Sequence, residues 1–90
     1  MKYIMMRVKH KTFTQYVPII FPNALVHSLV AKAIKTHIGM GRAAVVSAGE
    51  IQNGKILPGS TSTTLNLSPV LPRDQDIIDS VDYGGDMLEP

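Results

Sequence analysis

The sequence predicts a small α+β protein: a small antiparallel sheet in β-β-α-β-β order, with one main helix packed on one face and a short acidic C-terminal helical segment. Three observations predict it. The 90 residues suffice for one domain, the N-terminal part shows strand alternation, and a central segment shows the spacing of an amphipathic helix. Such a helix and sheet bury each other's apolar faces.

The first two strands are expected to form a hairpin. Residues 2–9, KYIMMRVK, alternate between two faces, one of them clearly apolar. Residues 13–21, FTQYVPIIF, are rich in aromatic and β-branched side chains. Pro18 cannot donate a hydrogen bond to a neighbouring strand, so we expect the second strand to lie at an edge or to carry a bulge.

Residues 24–38 are expected to form the main helix, with Asn23 as N-cap and Gly39 just after its end. His27 falls off the apolar side, and we expect structural or surface roles for all three histidines because no metal-ligand spacing occurs. The apolar stripe recurs at spacings of three and four and consists of Leu25, Val26, Leu29, Val30, Ala33, Ile34 and Ile38.

Two further strands are expected after this helix. Residues 43–51, AAVVSAGEI, predict the third, in which Gly49 marks a bulge or a close backbone approach. Turn signals follow, beginning with Asn53-Gly54. The Thr-rich residues 61–67, TSTTLNL, predict the fourth strand.

We place a boundary at residue 72, between a compact α+β domain (1–72) and an acidic C-terminal segment and tail (73–90). Residues 74–81 predict a short helix with Asp74 as its cap and Ile78 among its docking residues. Three roles stay open for the acids of this segment: a solvated face, a cover over a basic surface, or a divalent-metal site. The segment lacks the EF-hand pattern.

Charge is divided between the two halves of the chain. All seven Asp and Glu residues lie from Glu50 onward, whereas only Lys55 and Arg73 among the nine Lys and Arg residues do so. The first 49 residues therefore carry a formal charge of +7 and the rest −5. This split indicates an anionic partner or an acidic tail, while the small net charge of +2 argues against a general nucleic-acid coat protein.

Composition narrows the functional classes. The chain has no cysteine, which excludes disulfides, thiolate metal sites and a cysteine nucleophile. No signal-peptide core is found, and the longest uncharged run, residues 12–31, is too polar to span a membrane. We expect an intracellular protein with no membrane partner. We also expect a homo-oligomer, because association often supports a small core.

The residues favour a binding protein over an enzyme. No nucleophile elbow and no acid-base pair is recognisable, so neither catalysis nor a cofactor is expected. Basic residues at the first hairpin lie near Phe13 and Tyr16, a combination that can hold phosphates and stack bases, although both rings can equally pack in the sheet. Hydroxyl groups of the later strands can add polar contacts or simply fill an exposed strand. The candidate ligand-binding residues are Arg7, Lys9, Lys11, Ser47, Glu50, Ser60, Ser62 and Thr63.

The segments KYIMMRVKHKTFTQYVPIIFPNALVH, VVSAGEI and STTLNL, with an acidic stretch ending DYGG, resemble a family of small uncharacterised proteins encoded by tailed bacteriophages. The resemblance implies expression in the cytoplasm of a bacterial host and carries over no functional residue. We therefore expect a phage accessory protein that binds an anionic ligand, either a nucleotide-type signalling molecule or a nucleic acid, in host takeover or counter-defence. The alternative is an interaction module that docks on a bacterial host protein through the acidic C-terminal segment.

Overall fold

The computed structural model describes residues 1–38 and 42–81, which form a four-stranded antiparallel sheet and two helices. The strand order across the sheet is β2-β1-β3-β4. The elements are β1 (Lys2–Lys9), β2 (Thr14–Phe21), α1 (His27–Ile38), β3 (Ala43–Gln52), β4 (Lys55–Ile56) and α2 (Arg73–Ser80). The α+β class is thus confirmed. Neither helix has the length and apolar character needed to cross a bilayer.

Strand β1 is covered on both faces, which the sequence analysis did not predict. Ile4 and Met6 belong to a core that includes residues of α1, whereas Tyr3 and Met5 belong to a second core with Ile78 of α2. All four β1 side chains are fully buried. The expectation of one covered face was wrong because the alternate face, with Tyr3 and Met5, is also apolar enough to require a cover.

The β1–β2 hairpin has the predicted arrangement. Residues Lys9 and Thr14 are the last pair of the ladder, and β2 lies at the edge of the sheet. Pro18 pairs with Met5 from this edge position. A strand at the edge has a neighbour on one side only, so the missing N–H of Pro18 is tolerated there. The edge position predicted from Pro18 is therefore confirmed.

Helix α1 ends at Ile38 as predicted but begins at His27, after a turn closed by the Leu25 N–H and the Pro22 carbonyl. His27 is buried, with its Nε2 3.0 Å from the Gly49 carbonyl oxygen. The predicted stripe is rotated, because Leu29 is 64% exposed while Ala31 is buried. The buried side of α1 therefore includes His27, a polar residue whose hydrogen bond to backbone makes its burial possible. Gly39 lies outside the described residues.

Of the two alternatives predicted for Gly49, a bulge or a close approach, the structure shows the close approach, and the bulge of β3 lies elsewhere. The register of β3 against β1 shifts between Met5 and Met6, so the bulge is near Val46. Gly49 is the close approach: a Cβ built there would lie 2.7 Å from Pro69 Cγ and 2.9 Å from Ser60 Oγ. The lack of a side chain at Gly49 therefore lets the returning chain pack on β3.

The fourth strand is not residues 61–67 but β4, which pairs with β3 across the Asn53-Gly54 turn. Both turn residues have positive φ, 54° and 80°, as a two-residue hairpin of type I′ requires. Residues 61–67 instead form a turn closed by a Ser62–Leu67 bridge. Ser62 Oγ accepts the Leu65 N–H at 3.2 Å. This side-chain bond to backbone competes with strand formation despite the Thr-rich composition.

Helix α2 matches the predicted position, and the proposed boundary at residue 72 falls just before it. The helix packs on the sheet of the first segment, with Asp74 and Ile78 buried. Asp74 was predicted to be the N-cap, but that position is taken by Pro72 without a side-chain cap bond. The tail, residues 82–90, lies outside the described residues.

Candidate functional site

A buried polar cluster fixes α2 to the sheet. The fully buried carboxylate of Asp74 accepts hydrogen bonds on Oδ2 from the Tyr3 hydroxyl at 2.7 Å and the Ser47 hydroxyl at 2.5 Å. The Val70 N–H donates to the same oxygen at 3.1 Å. Arg73 donates to the other oxygen from Nε at 3.1 Å and from a terminal nitrogen at 3.0 Å. The carboxylate is therefore a structural anchor with its acceptor capacity filled.

The hydrogen bonds outweigh the cost of burying this charge. Burial by itself would raise the pKa of Asp74, but the bonds from Ser47, Tyr3, the Val70 amide and Arg73 together lower that pKa below its ordinary value. Burial raises the pKa of Tyr3, and the adjacent Asp74 carboxylate raises it further. At neutral pH, therefore, the phenol donates and the carboxylate accepts.

We expect this anchor to weaken in acid. Because the pKa of Asp74 is lower in the folded chain than in the unfolded chain, the ionised carboxylate stabilises the folded state. This stabilisation is fully present when the pH is above the ordinary pKa of aspartate, and it is lost as the pH falls through the pKa of the folded chain. In urea titrations from pH 6 to pH 2, the free energy of unfolding should fall from about pH 5, by up to about 1.4 kcal/mol per pH unit for this group.

Asp74→Asn should be less stable at neutral pH and should lose less stability over the same acid range, since it has no carboxylate to protonate at this position. Equal losses in the wild type and in Asp74→Asn would contradict a role for this carboxylate in the acid response.

The remaining acids of α2 are on its exposed side. Asp76 is exposed, and exposed Asp79 accepts a hydrogen bond from the Gln75 amide at 2.9 Å. Among residues 1–38 and 42–81, no three His, Asp or Glu side chains come together as a metal ion would need. The solvated face predicted for the acidic segment thus describes Asp76 and Asp79, whereas Asp74 belongs to the interior.

The hydroxyl half of the predicted site is mostly internal. Ser47 is committed to Asp74, and Ser62 is buried within its own turn. Ser60 Oγ accepts the Glu50 N–H at 2.9 Å and donates to the Leu57 carbonyl at 2.6 Å. We therefore correct the expectation that these hydroxyls face a ligand: backbone and Asp74 already use them. Thr63 is exposed on the turn.

Glu50, and Ser60 bonded to it, also lie far from the basic half. Glu50 pairs with Lys2 at one end of β1, whereas Arg7 pairs with Ala44 near the other end. The five residue-to-residue steps from Lys2 to Arg7 span about 17 Å at the rise of a strand. A single small ligand therefore cannot contact Arg7 together with Glu50 and Ser60, contrary to the expectation from sequence.

The basic half forms a cleft at the far end of the β1–β3 ladder. Arg7, Lys9 and Arg42 surround it, and Ala43 and Ala44 also line it. We call these five residues the basic cleft; its volume is about 140 Å³. The Lys9 N–H donates to the Arg42 carbonyl at 2.8 Å, which fixes the two backbones together. Two of the predicted residues, Arg7 and Lys9, are thus brought together, while Lys11 is exposed at the hairpin tip.

The three cations of the basic cleft have no carboxylate partner within the described part of the chain. There the only ion pair joins Arg73 and Asp74. Arg7 Nε is buried and has no hydrogen-bond acceptor among the same residues. An unpaired buried donor of this kind costs about 1–3 kcal/mol, which is recovered when an acceptor reaches Nε itself.

An aromatic residue connects the cleft to α2. Tyr16 pairs with Arg7 across the hairpin, so the two side chains lie on the same face of the sheet. The guanidinium of Arg73 lies 4.9 Å from the centre of the Tyr16 ring. Cation and ring attract each other at this distance. A basic row therefore continues from the cleft past Tyr16 to Arg73.

A second concavity of about 300 Å³ lies between α1 and the turn at residues 63–66. It is largely apolar, with Ala31 and Leu65 in its walls and Lys32 and Lys35 also lining it. The basic residues of the first half of the chain therefore do not all converge. Arg7, Lys9 and Arg42 meet in the basic cleft, while the α1 lysines line a separate groove.

Sequence reasoning missed Arg42 as a site residue. It lies close after α1 in the chain, where a cation is favoured by the negative end of the helix dipole. That role accounts for Arg42 without a binding site, so the sequence did not indicate its place in the cleft. The signal that could have found it is the β1–β3 pairing, which brings the start of β3 beside the end of β1. Comparisons of this chain with protein-family models, curated proteins and solved structures gave no match.

Proposed function

We propose that this protein is a non-enzymatic binding protein whose basic cleft holds a phosphate-type anion. The observation that carries the proposal is the Arg7 side chain: a buried, unpaired Nε donor lies beside two further cations. Guanidinium groups suit oxyanions because their N–H donors match the spacing of phosphate oxygens. A native structure retains an unsatisfied buried donor for a reason, and anion binding supplies one.

The resemblance to tailed-phage proteins gives the proposal its setting. A small phage accessory protein in the cytoplasm of a bacterial host would sequester an anionic host molecule during host takeover or counter-defence. Sequestration needs no nucleophile and no acid-base pair, only affinity. The cleft is suited to this because positive potential in a concave site concentrates anions.

The alternative, docking on a host protein through the acidic segment, has less support from the geometry. Asp74 is turned into the core, so within the described residues α2 offers only Asp76 and Asp79 to a basic partner. A chain ending at Val81 distinguishes the two proposals. Loss of host-protein capture with pyrophosphate binding retained would favour docking through residues 82–90.

Replacing Arg7 is expected to abolish most of the anion affinity without cost to the fold. Arg7→Met keeps an apolar stem for packing but removes the charge and the unpaired donor. Titration calorimetry with inorganic pyrophosphate should show affinity falling about 10- to 100-fold, the range for losing a charged hydrogen bond. Because a buried unsatisfied group disappears as well, the free energy of unfolding should stay equal or rise.

Lys55→Met is the matched control, since Lys55 is an exposed cation in the β3–β4 hairpin, away from the cleft. It should bind pyrophosphate as the wild type does. The proposal is overturned if Arg7→Met and Lys55→Met bind equally well, or if the wild type releases no heat with millimolar pyrophosphate.

A further inference from the structure

The size of the basic cleft limits what it can enclose. Pockets that bury a whole small-molecule ligand typically measure about 300–1,000 Å³, and this cleft measures about 140 Å³. It can surround a phosphoryl group but not a complete nucleotide. The rest of a phosphate-bearing ligand must therefore lie on the protein surface around the cleft, and the chemistry of that surface decides the ligand class.

On one side of the cleft the surface offers an aromatic ring and a guanidinium. Tyr16 is 36% exposed, and Arg73 lies against its ring. Both planar groups can stack on a nucleobase, while the charge of Arg73 is already paired with Asp74. An anion without a planar group would gain nothing from this arrangement.

Beyond Lys9, the hairpin tip carries a preformed aromatic stack. The rings of His10 and Phe13 lie 4.3 Å apart at an interplanar angle of 19°. His10 Nε2 lies 3.0 Å from Gln15 Oε1, which holds the imidazole in place. Phe13 is 58% exposed, an unusual position for a large apolar ring that the core does not use. Lys11 follows at the tip itself.

These groups form a continuous path on β2 and the hairpin tip. Strand residues 13 to 16 span about 10 Å, with the basic cleft beside them on β1 and β3. Phe13 lies at the tip, just before β2 begins, whereas Tyr16 lies within β2 beside Arg7, so a ligand that uses both must pass from the strand to the tip. A flexible single strand can follow this path.

We propose that the basic cleft and its aromatic flanks bind single-stranded nucleic acid in preference to duplex. The inference rests on the proposed anion-binding function and names its ligand class. Unpaired bases expose the faces that stack on Phe13 and Tyr16, while a duplex hides those faces between neighbouring base pairs. Stacking is tolerant of sequence, so little discrimination between bases is expected.

The salt dependence of binding follows from the cation count. If Arg7, Lys9 and Arg42 neutralise three phosphates, the slope of log affinity against log salt should be about −2 for a single strand. A slope near zero would contradict phosphate contacts by these residues.

The experiment compares fluorescein-labelled dodecathymidylate with a labelled duplex of twelve base pairs by fluorescence anisotropy at low salt. Inorganic pyrophosphate binding is measured in parallel by calorimetry. The single strand should bind at least tenfold more tightly than the duplex. Phe13→Ala should weaken single-strand binding by about 5- to 100-fold, the usual effect of losing one stacked base, and should leave pyrophosphate binding unchanged.

Leu29→Ala is the matched control, because Leu29 is an equally exposed apolar residue on α1. It should leave both affinities unchanged. Circular dichroism of each variant checks that the fold is intact.

The two proposals fail in distinguishable ways. If neither pyrophosphate nor the oligonucleotides bind, the proposed function itself fails, and the inference with it. If pyrophosphate binds in an Arg7-dependent manner, any one of three results overturns the inference alone. The first is that the duplex binds as tightly as the single strand, and the second is that Phe13→Ala binds the single strand as tightly as the wild type does. The third is that an oligoglutamate peptide of twelve residues binds as tightly as the single strand.

Discussion

A chain that ends at Pro72 is expected to lose the folded state, whereas a chain that ends at Val81 is expected to keep it. Removing α2 takes away the buried side chain of Ile78 and uncovers Tyr3 and Met5 on β1. It also removes the Asp74 carboxylate that satisfies the Tyr3 and Ser47 hydroxyls. Burial of one large aliphatic side chain contributes about 1.5–3 kcal/mol, and a hydrogen bond to a charged group contributes about 1.5–3 kcal/mol.

These losses are large beside the stability of a chain of this size. At about 0.05–0.15 kcal/mol per residue, a protein of 90 residues has roughly 5–13 kcal/mol in total. Circular dichroism and thermal unfolding of the two truncated chains provide the measurement. Cooperative unfolding of the chain ending at Pro72, with the midpoint of the wild type, would show that α2 is dispensable and that the boundary at residue 72 separates independent parts.

Replacing Asp74 with alanine is expected to remove about 3–5 kcal/mol of the free energy of unfolding. The substitution leaves the hydroxyls of Tyr3 and Ser47 and the Val70 N–H without their acceptor, and Arg73 without its ion-pair partner. Urea denaturation at pH 7 measures the loss. Because Tyr3 and Asp74 share a hydrogen bond, Tyr3→Phe and Asp74→Ala together should cost less than the sum of the single changes.

Asp76→Ala is the control for this substitution, since Asp76 is an exposed aspartate two residues further along the same helix. Its effect should lie within about 0.5 kcal/mol. A loss of similar size in Asp74→Ala and Asp76→Ala would mean that the cost arises from helix charge rather than from the buried cluster.

Much of the fold could be predicted because its signals are local. Alternation along residues 2–9 and the β-branched content of 43–51 predicted strands that are present as β1 and β3. Pro18 predicted the edge position of β2, and Gly49 the close approach of another segment. Each of these depends on backbone geometry or on side-chain period, which a short stretch of sequence contains in full.

The errors arose where a local preference was opposed by a distant contact. Thr-rich residues 61–67 have strand propensity, but Ser62 uses its hydroxyl for its own turn, and the short β4 takes the place beside β3. His27 is polar, so the sequence predicts it off the apolar stripe of the helix. In the structure it is buried, and its ring forms a hydrogen bond with the Gly49 carbonyl of β3. Propensity is a weak guide when tertiary contacts decide burial.

The basic cleft could be predicted only in part. Arg7 and Lys9 alternate on one face of a strand, so their proximity follows from sequence. Arg42 joins them through the pairing of β3 with β1, a contact between residues far apart in the chain. The hydroxyl residues are predicted from their chemistry alone, which does not reveal whether Ser47 already has a partner.

The sequence by itself determined the α+β class, the hairpin, the position of both helices and the division of charge between the halves. Only the tertiary structure decided which charges face outward. It turns Asp74 inward against Tyr3, a residue 71 positions away, and gathers Arg7, Lys9 and Arg42 without a carboxylate among the described residues. The reason is physical. Periodicity and propensity act over a few residues, whereas burial and pairing of a charge depend on the register and docking of distant segments.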